Sequence, residues 1–217
     1  MMEFTRFELS ERFDHAVFFA SMLHRKQARK NIPAPFMVHL LAVASLTAEN
    51  IGFVCKDTKE AEDYVMTAIL HDTIEDQGGT KTYELLKQEF GQKIADNVLR
   101  LSDSLPDDPK NKPPKEQRNA DYLAKMLDTK NTPDAIVLIS CCDKIHNLRT
   151  MYSDTLAIES IEEFWRAFTQ KPVPTMNNYK NLSAAYHKRL DKVCPRLPKL
   201  MDDIVKLVES TIPDSLK

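Results

Sequence analysis

Residues 68–76 read AILHDTIED: an apolar run gives way to His71 and Asp72, and a Glu75–Asp76 pair follows one helical turn later. Burying carboxylates beside one another costs free energy unless positive charge lies among them. On a helix, His71 and Glu75 stand one turn apart, as do Asp72 and Asp76, so the two pairs present adjacent edges of one face. Histidine nitrogen with aspartate oxygen makes a good divalent-metal pair, and the two acids beyond it could orient or deprotonate an attacking water. Taken alone, the stretch also reads as the solvated last turn of a helix.

Two other positions bear on that choice. His39 lies in the apolar stretch 36–46 between Val38 and Leu40, where a lone histidine is more often a hydrogen-bonded core residue than a ligand. Asp143 follows AIVLISCC and precedes KIHNLRT, at the deep end of a buried helix. A carboxylate there needs a partner. Lys144 is next in sequence but is expected to point elsewhere on the helix, which makes a metal the more economical partner. His39, His71, Asp72 and Asp143 then form an H…HD…D set drawn from three helices, an ordinary way to build a metal site in a helical bundle.

The elements that must position these residues are helical nearly throughout. Phe13, Val17, Phe18 and Met22 give an apolar stripe at 3.6 spacing. Helices are predicted over 36–50 and over 60–77, the second ending at Gly78-Gly79, then from Thr80 to Gly91 and on to about Ser102. Residues 103–118 (DSLPDDPKNKPPKEQR) read as an exposed loop rich in proline and charge. Further helices are predicted over 119–127, from Pro133 to Thr150, and over about 177–210 with interruptions near Pro195 and Pro198; TQKPVPTMNN reads as a break. No strand shows convincing period-two alternation. The predicted fold class is all-α.

Length and composition narrow the rest. The 217 residues suit one domain, and 30 Lys+Arg against 32 Asp+Glu leave a formal charge of -2, with no basic footprint for nucleic acid. The longest apolar stretches, such as Ala135–Cys142, are too short to span a bilayer, and the charged N-terminus MMEFTRFELSER has no signal core. A soluble, cytoplasmic protein without membrane association is the expectation. Cys55, Cys141, Cys142 and Cys194 show no metal-type spacing and read as reduced core residues. Only four glycines occur, and neither GxGxxG nor GxxxxGK[ST] is present, so a phosphate substrate would be held by side chains or metal.

The H…HD…D order resembles that of the HD-domain metal-dependent phosphohydrolases. The surrounding words narrow the likeness. HRKQARKNIPAPFMVH, AILHDTIED with EFG at Glu89–Gly91, and CDKIHNLRT resemble three motifs of the ppGpp hydrolase domain in the bifunctional alarmone synthetase/hydrolases, which also exists as free-standing small alarmone hydrolases. The likeness extends over roughly residues 10–190. It implies an HD-type helical bundle occupying 1–217 as a single hydrolase domain. It also implies a metal ion, typically manganese, on His39, His71, Asp72 and Asp143, although such a donor set does not exclude iron or zinc.

The same resemblance casts Glu75 and Asp76 as the catalytic pair. Arg29 and Lys30 match an RK pair lying against the guanine and its phosphates, where a guanidinium plane can stack on a purine. Asn147, one turn beyond Asp143, would reach the ribose or a phosphate. Arg149 and Thr150 match the end of that motif, and Tyr179 a tyrosine lining the nucleotide pocket. Lys112, Lys115 and Arg118 could solubilise the loop or line the mouth of a site for a highly negative nucleotide.

Some positions depart from the family pattern. Phe36 stands for its usual tyrosine, Leu40 follows His39 where a proline is usual, and Asn31–Pro35 lacks the usual glycine. The interval from His39 to His71 is a few residues longer. The expected activity is removal of the 3′-pyrophosphate from (p)ppGpp to give GDP or GTP. A different nucleotide ((p)ppApp, the 2′-phosphate of NADPH or a deoxynucleotide) and a non-catalytic nucleotide sensor are the alternatives.

Overall fold

The computed structural model describes residues 3–29, 32–103, 112–166 and 171–216. Among these, the apolar spacing folds as eleven α-helices: α1 Glu11–Leu23, α2 Met37–Val54, α3 Thr58–Leu70, α4 Thr73–Asp76, α5 Thr80–Phe90, α6 Gln92–Leu101, α7 Lys115–Leu127, α8 Asp134–Ala157, α9 Ile161–Arg166, α10 Pro172–Leu190 and α11 Arg196–Ser210. The described residues contain no strand, only an isolated bridge between Ala28 and Pro35. The chain is all-α, as its periodicity predicts.

At the centre, α2 packs against both α3 and α8, and α10 and α11 close over the other side of α8. Leu40, Val43, Ile69, Leu70, Ile136 and Leu138 are fully buried there within a single hydrophobic cluster. At 18 residues and a mean hydropathy of 1.5, α2 exceeds Ala135–Cys142 as an apolar segment and is long enough by composition to cross a bilayer. Here it packs as a core helix, with His39 and Asn50 buried along it. The four cysteines are buried and unbridged.

Several boundaries differ from the sequence reading for local reasons. The stretch 60–77 is not one helix. Thr73 Oγ1 donates to the Leu70 carbonyl at 2.7 Å and His71 Nδ1 to the Ala68 carbonyl at 2.8 Å. Side chains thereby compete with the backbone for the last carbonyls of α3, and His71–Asp72 form a turn between α3 and α4. The stripe on α1 is also different: Phe18 and Met22 are 61% and 54% exposed, whereas Ala16 and Ala20 are buried where α1 lies on α3. Small side chains let the two helices approach closely. Pro172 and Pro174 do not break the chain but open α10, since a first turn has no use for their missing N–H groups. Pro133 caps α8 rather than entering it, and α8 runs seven residues past Thr150 to Ala157.

Of the predicted loop, residues 104–111 lie outside the described residues. Its C-terminal part is already helical, because α7 begins at Lys115.

Candidate active site

The break after Leu70 decides where the chemistry sits. It turns His71 and Asp72 towards α2 and α8, so that ligand atoms of His39, His71 and Asp72 fall within 4.8 Å of one another. Asp143, on α8, completes the group. Its Oδ1 lies 3.2 Å from His39 Nε2 and 3.8 Å from His71 Nε2, while Asp72 Oδ2 lies 3.5 Å and 3.1 Å from the same two nitrogens. The structure therefore brings together all four residues of the H…HD…D set.

Their hydrogen bonds say what is missing from the centre. Because the Ala68 carbonyl can only accept, His71 Nδ1 carries the ring proton. A neutral His71 then points an Nε2 lone pair at carboxylate oxygens, and this buried nitrogen makes no well-formed hydrogen bond. Burial opposes charge at His71, yet the fields of Asp72 and Asp143 overcome it and raise its pKa to about 9. Burial likewise opposes charge on Asp72, and His71 and His39 nonetheless hold it well below the usual carboxylate range. A pocket of lone pairs that stabilises a proton so strongly suits a divalent cation, and the nitrogen–oxygen donor set fits one.

Lys144 behaves differently from its expected place on the helix. Its Nζ lies 2.5 Å from Asp143 Oδ2, because a four-carbon stem lets the ammonium curl back to its neighbour. The ammonium also sits 5.0 Å from the centre of the Tyr122 ring. Asp143 is thus shared: Oδ2 pairs with Lys144, whereas Oδ1 accepts from Asn147 Nδ2 at 2.6 Å and faces the histidines.

Beside the cluster opens a cavity of about 560 Å³, within the range of small-ligand sites. Glu75 and Asp76 both line it. Asp76 Oδ2 accepts from Gln27 Nε2 at 2.7 Å, and Gln27 in turn contacts His24 and Gln77. Burial, then the charge of Asp72, raises the Asp76 pKa, with Gln27 working against the rise. Glu75 accepts from the Asp103 backbone N–H at 3.2 Å and lies 3.5 Å from Lys112 Nζ. Burial, then the charges of Asp103 and Asp72, pushes Glu75 up to about 7. A carboxylate poised there can exchange a proton near neutrality.

The far wall is made by residues from 27–29 and 32–36 and by α8. Backbone bonds from Arg29 N–H to the Ala34 carbonyl and from Phe36 N–H to the Gln27 carbonyl, both 2.9 Å, carry Arg29 back over the Phe36 ring. Its guanidinium donates to Asn147 Oδ1 and Thr150 Oγ1 at 3.1 Å each, which fixes the planar group as a shelf. Tyr179 from α10 also lines the cavity, as do Lys115 and Arg118, whose charges meet Asp103. Arg149 is exposed and does not line it. Lys30 lies outside the described residues.

Sequence reasoning passed over His146, Gln27, Asp103 and Asp154. His146 Nδ1 stands 2.8 Å from His39 Nδ1; Gln27 holds Asp76; Asp103 and Asp154 line the cavity. His146 and Gln27 lie inside the motif words and signalled themselves only by that. Asp154 follows Asp143, Asn147 and Thr150 at helical spacing, a stripe readable once α8 is known to extend that far.

A family model described as the HD domain matches residues 16–164, which contain all four cluster residues, and the chain belongs to the HD-domain family. Among curated relatives, a GTP pyrophosphokinase of Myxococcus xanthus is 30% identical over 139 residues, 63% of this chain and 16% of the relative. The bifunctional (p)ppGpp synthase/hydrolase SpoT of Escherichia coli (strain K12) is 30% identical over 143 residues, 66% of this chain and 18% of the relative. The chain thus spans about a sixth of the length of these relatives. The solved structure of a metazoan ortholog of SpoT that hydrolyses ppGpp matches with a TM-score of 0.65 at 20% identity, over 93% of this chain and 97% of that one, which establishes the shared fold.

Proposed function

We propose that this chain is a metal-dependent hydrolase that removes the 3′-pyrophosphate of ppGpp or pppGpp, and that residues 1–217 form one hydrolase unit. The observation that carries the reading is the common cavity. Two proton-accepting carboxylates, Glu75 and Asp76, face the same space as the histidine–aspartate cluster at one side and the Arg29 shelf at the other. The relatives named for (p)ppGpp chemistry support the substrate class.

His39, His71, Asp72 and Asp143 would hold the ion, which we take to be Mn²⁺. When bound, such an ion lowers the pKa of a water and neutralises phosphate charge. Glu75 takes the proton from the attacking water, and Asp76, braced by Gln27, orients that water. The water oxygen joins the phosphorus carried on the 3′ oxygen, that P–O bond breaks, the proton held by Glu75 passes to the departing 3′ oxygen, and GDP or GTP leaves with pyrophosphate as the second product. The Arg29 plane supports the base, and Asn147, one turn beyond Asp143, reaches the ribose or phosphate. Lys115 and Arg118 supply positive charge at the mouth, which attracts a polyanion. A substrate of this kind would be met in the cytoplasm, which is where we take the protein to act.

Retention of both Glu75 and Asp76 argues against a mere sensor, since binding alone needs no water-activating pair. The test is product analysis by ion-exchange chromatography with purified protein and Mn²⁺, offering ppGpp, ppApp and NADPH in parallel with a chelated control. Metal-dependent release of pyrophosphate from ppGpp is the expected result. Turnover of ppApp or NADPH without turnover of ppGpp, or of none of the three, would overturn the assignment.

A further inference from the structure

Among the cavity-lining residues of α8, Asp143, Asn147, Thr150 and Asp154 fall at offsets of four, seven and eleven, which keeps them on one stripe of the helix. Eleven residues rise roughly 16 Å along the axis. The stripe therefore starts at the cluster with Asp143, passes beneath the Arg29 shelf at Asn147 and Thr150, and ends at Asp154. A nucleotide whose 3′-phosphates sit at the cluster and whose base lies on Arg29 directs its outer edge toward that end.

We propose that Asp154 is the specificity-determining residue for the base, and that it selects guanine over adenine. This rests on the function proposed above. A carboxylate is acceptor-only and offers two oxygens side by side. Guanine presents two donors side by side on its pairing edge, N1–H and the 2-amino group, so both bonds form at once. Adenine presents a bare N1 acceptor beside a single 6-amino donor, so a carboxylate facing it accepts one bond at most and is repelled at N1. Reading of a base through hydrogen bonds to its pairing edge is a common device of nucleotide pockets. Because the mismatched base leaves a polar group unsatisfied, discrimination of this type is stronger than a methyl-sized gap can supply. The Phe36 side chain has no hydroxyl to share the task, and Ile32 and Met151, which also line the cavity, offer none either.

The chemistry makes an asymmetric forecast. Asparagine in place of Asp154 offers one acceptor and one donor, the pattern that pairs with adenine N1 and its 6-amino group. The experiment compares kcat/KM for ppGpp and ppApp in the unsubstituted protein, Asp154→Asn and Asp154→Leu, with melting temperatures to confirm folding. The expected result is a preference for ppGpp that falls roughly ten- to a hundred-fold in Asp154→Asn, with ppApp hydrolysis rising in absolute terms. Asp154→Leu loses the preference chiefly through lost ppGpp turnover, and its ppApp turnover stays below that of Asp154→Asn because leucine offers adenine no hydrogen bond. A purely structural role for Asp154 would lower both substrates together. If the unsubstituted protein prefers ppGpp and both variants keep its ratio, the base assignment to Asp154 is overturned and the hydrolase reading stands. Equal or better use of ppApp by the unsubstituted protein overturns the guanine reader as well. Hydrolysis of neither substrate would instead sink the proposed function itself.

Discussion

The Nδ1 atoms of His39 and His146 lie 2.8 Å apart, while Nε2 of the same His39 ring faces Asp72 and Asp143. Two lone pairs or two protons cannot share that gap, so one ring donates and the other accepts. Burial, then His39 and Arg29, lowers the His146 pKa to about 4, which keeps it neutral at pH 7. With His39 as the donor, its Nε2 lone pair is turned to the centre of the cluster. Partners of this kind, one step behind the ligands, typically matter ten- to a hundred-fold in metal affinity.

His146→Leu is therefore expected to weaken Mn²⁺ binding by about ten- to a hundred-fold with little change in melting temperature of the metal-free protein. His146→Asn, which restores an acceptor, should recover part of the loss. Calorimetric titration of the chelated protein with Mn²⁺ measures it, and an unchanged affinity in His146→Leu would show that the contact does not orient His39.

Glu75→Gln should abolish turnover while nucleotide binding persists. It should also stabilise the metal-free protein at alkaline pH. The folded pKa of Glu75, about 7, lies above the unfolded value of about 4.5, so the folded state binds more protons between them. Unfolding free energy then falls as pH rises through that window. At pH 8 the Gln variant should exceed the parent by on the order of 2 kcal/mol, and the gain should vanish below pH 4.5. Denaturant melts in chelator at both pH values test the sign.

Asp143→Ala should lose bound metal and activity together, as read by elemental analysis and turnover. It also leaves the Lys144 ammonium beside Tyr122 without its carboxylate. Removing one partner of a largely buried pair is costly, so a loss of about 2–3 kcal/mol is expected, and the double variant Asp143→Ala with Lys144→Met should recover much of it. Metal content unchanged in Asp143→Ala would contradict the four-residue site.

Arg29→Lys should behave as a severe change although the charge is kept. An ammonium cannot donate to Asn147 and Thr150 while presenting a flat face. KM is expected to rise about ten-fold or more with kcat less affected, because a stacking shelf stabilises ground and transition states alike. A kcat loss at constant KM in steady-state kinetics would instead place Arg29 at the reacting phosphate.

Much of this was legible in the residues themselves. Helix period, the glycine stops and the mixed histidine–aspartate set are local properties, because repeat spacing and ligand chemistry do not depend on what packs nearby. His39, His71, Asp72 and Asp143 could accordingly be grouped from types and order alone, as could the pairing of Glu75 with Asp76. The break at His71–Asp72, the return of Lys144 to Asp143, the contact of His39 with His146 and the burial of Ala16 and Ala20 instead of Phe18 and Met22 were decided by tertiary structure. Each depends on side-chain rotamers and on distances between helices far apart in the chain, and spacing along a single helix carries neither. Asp154 belongs to both: its place on the α8 stripe is a matter of counting residues, but only the packed helices turn that stripe into the wall of a cavity.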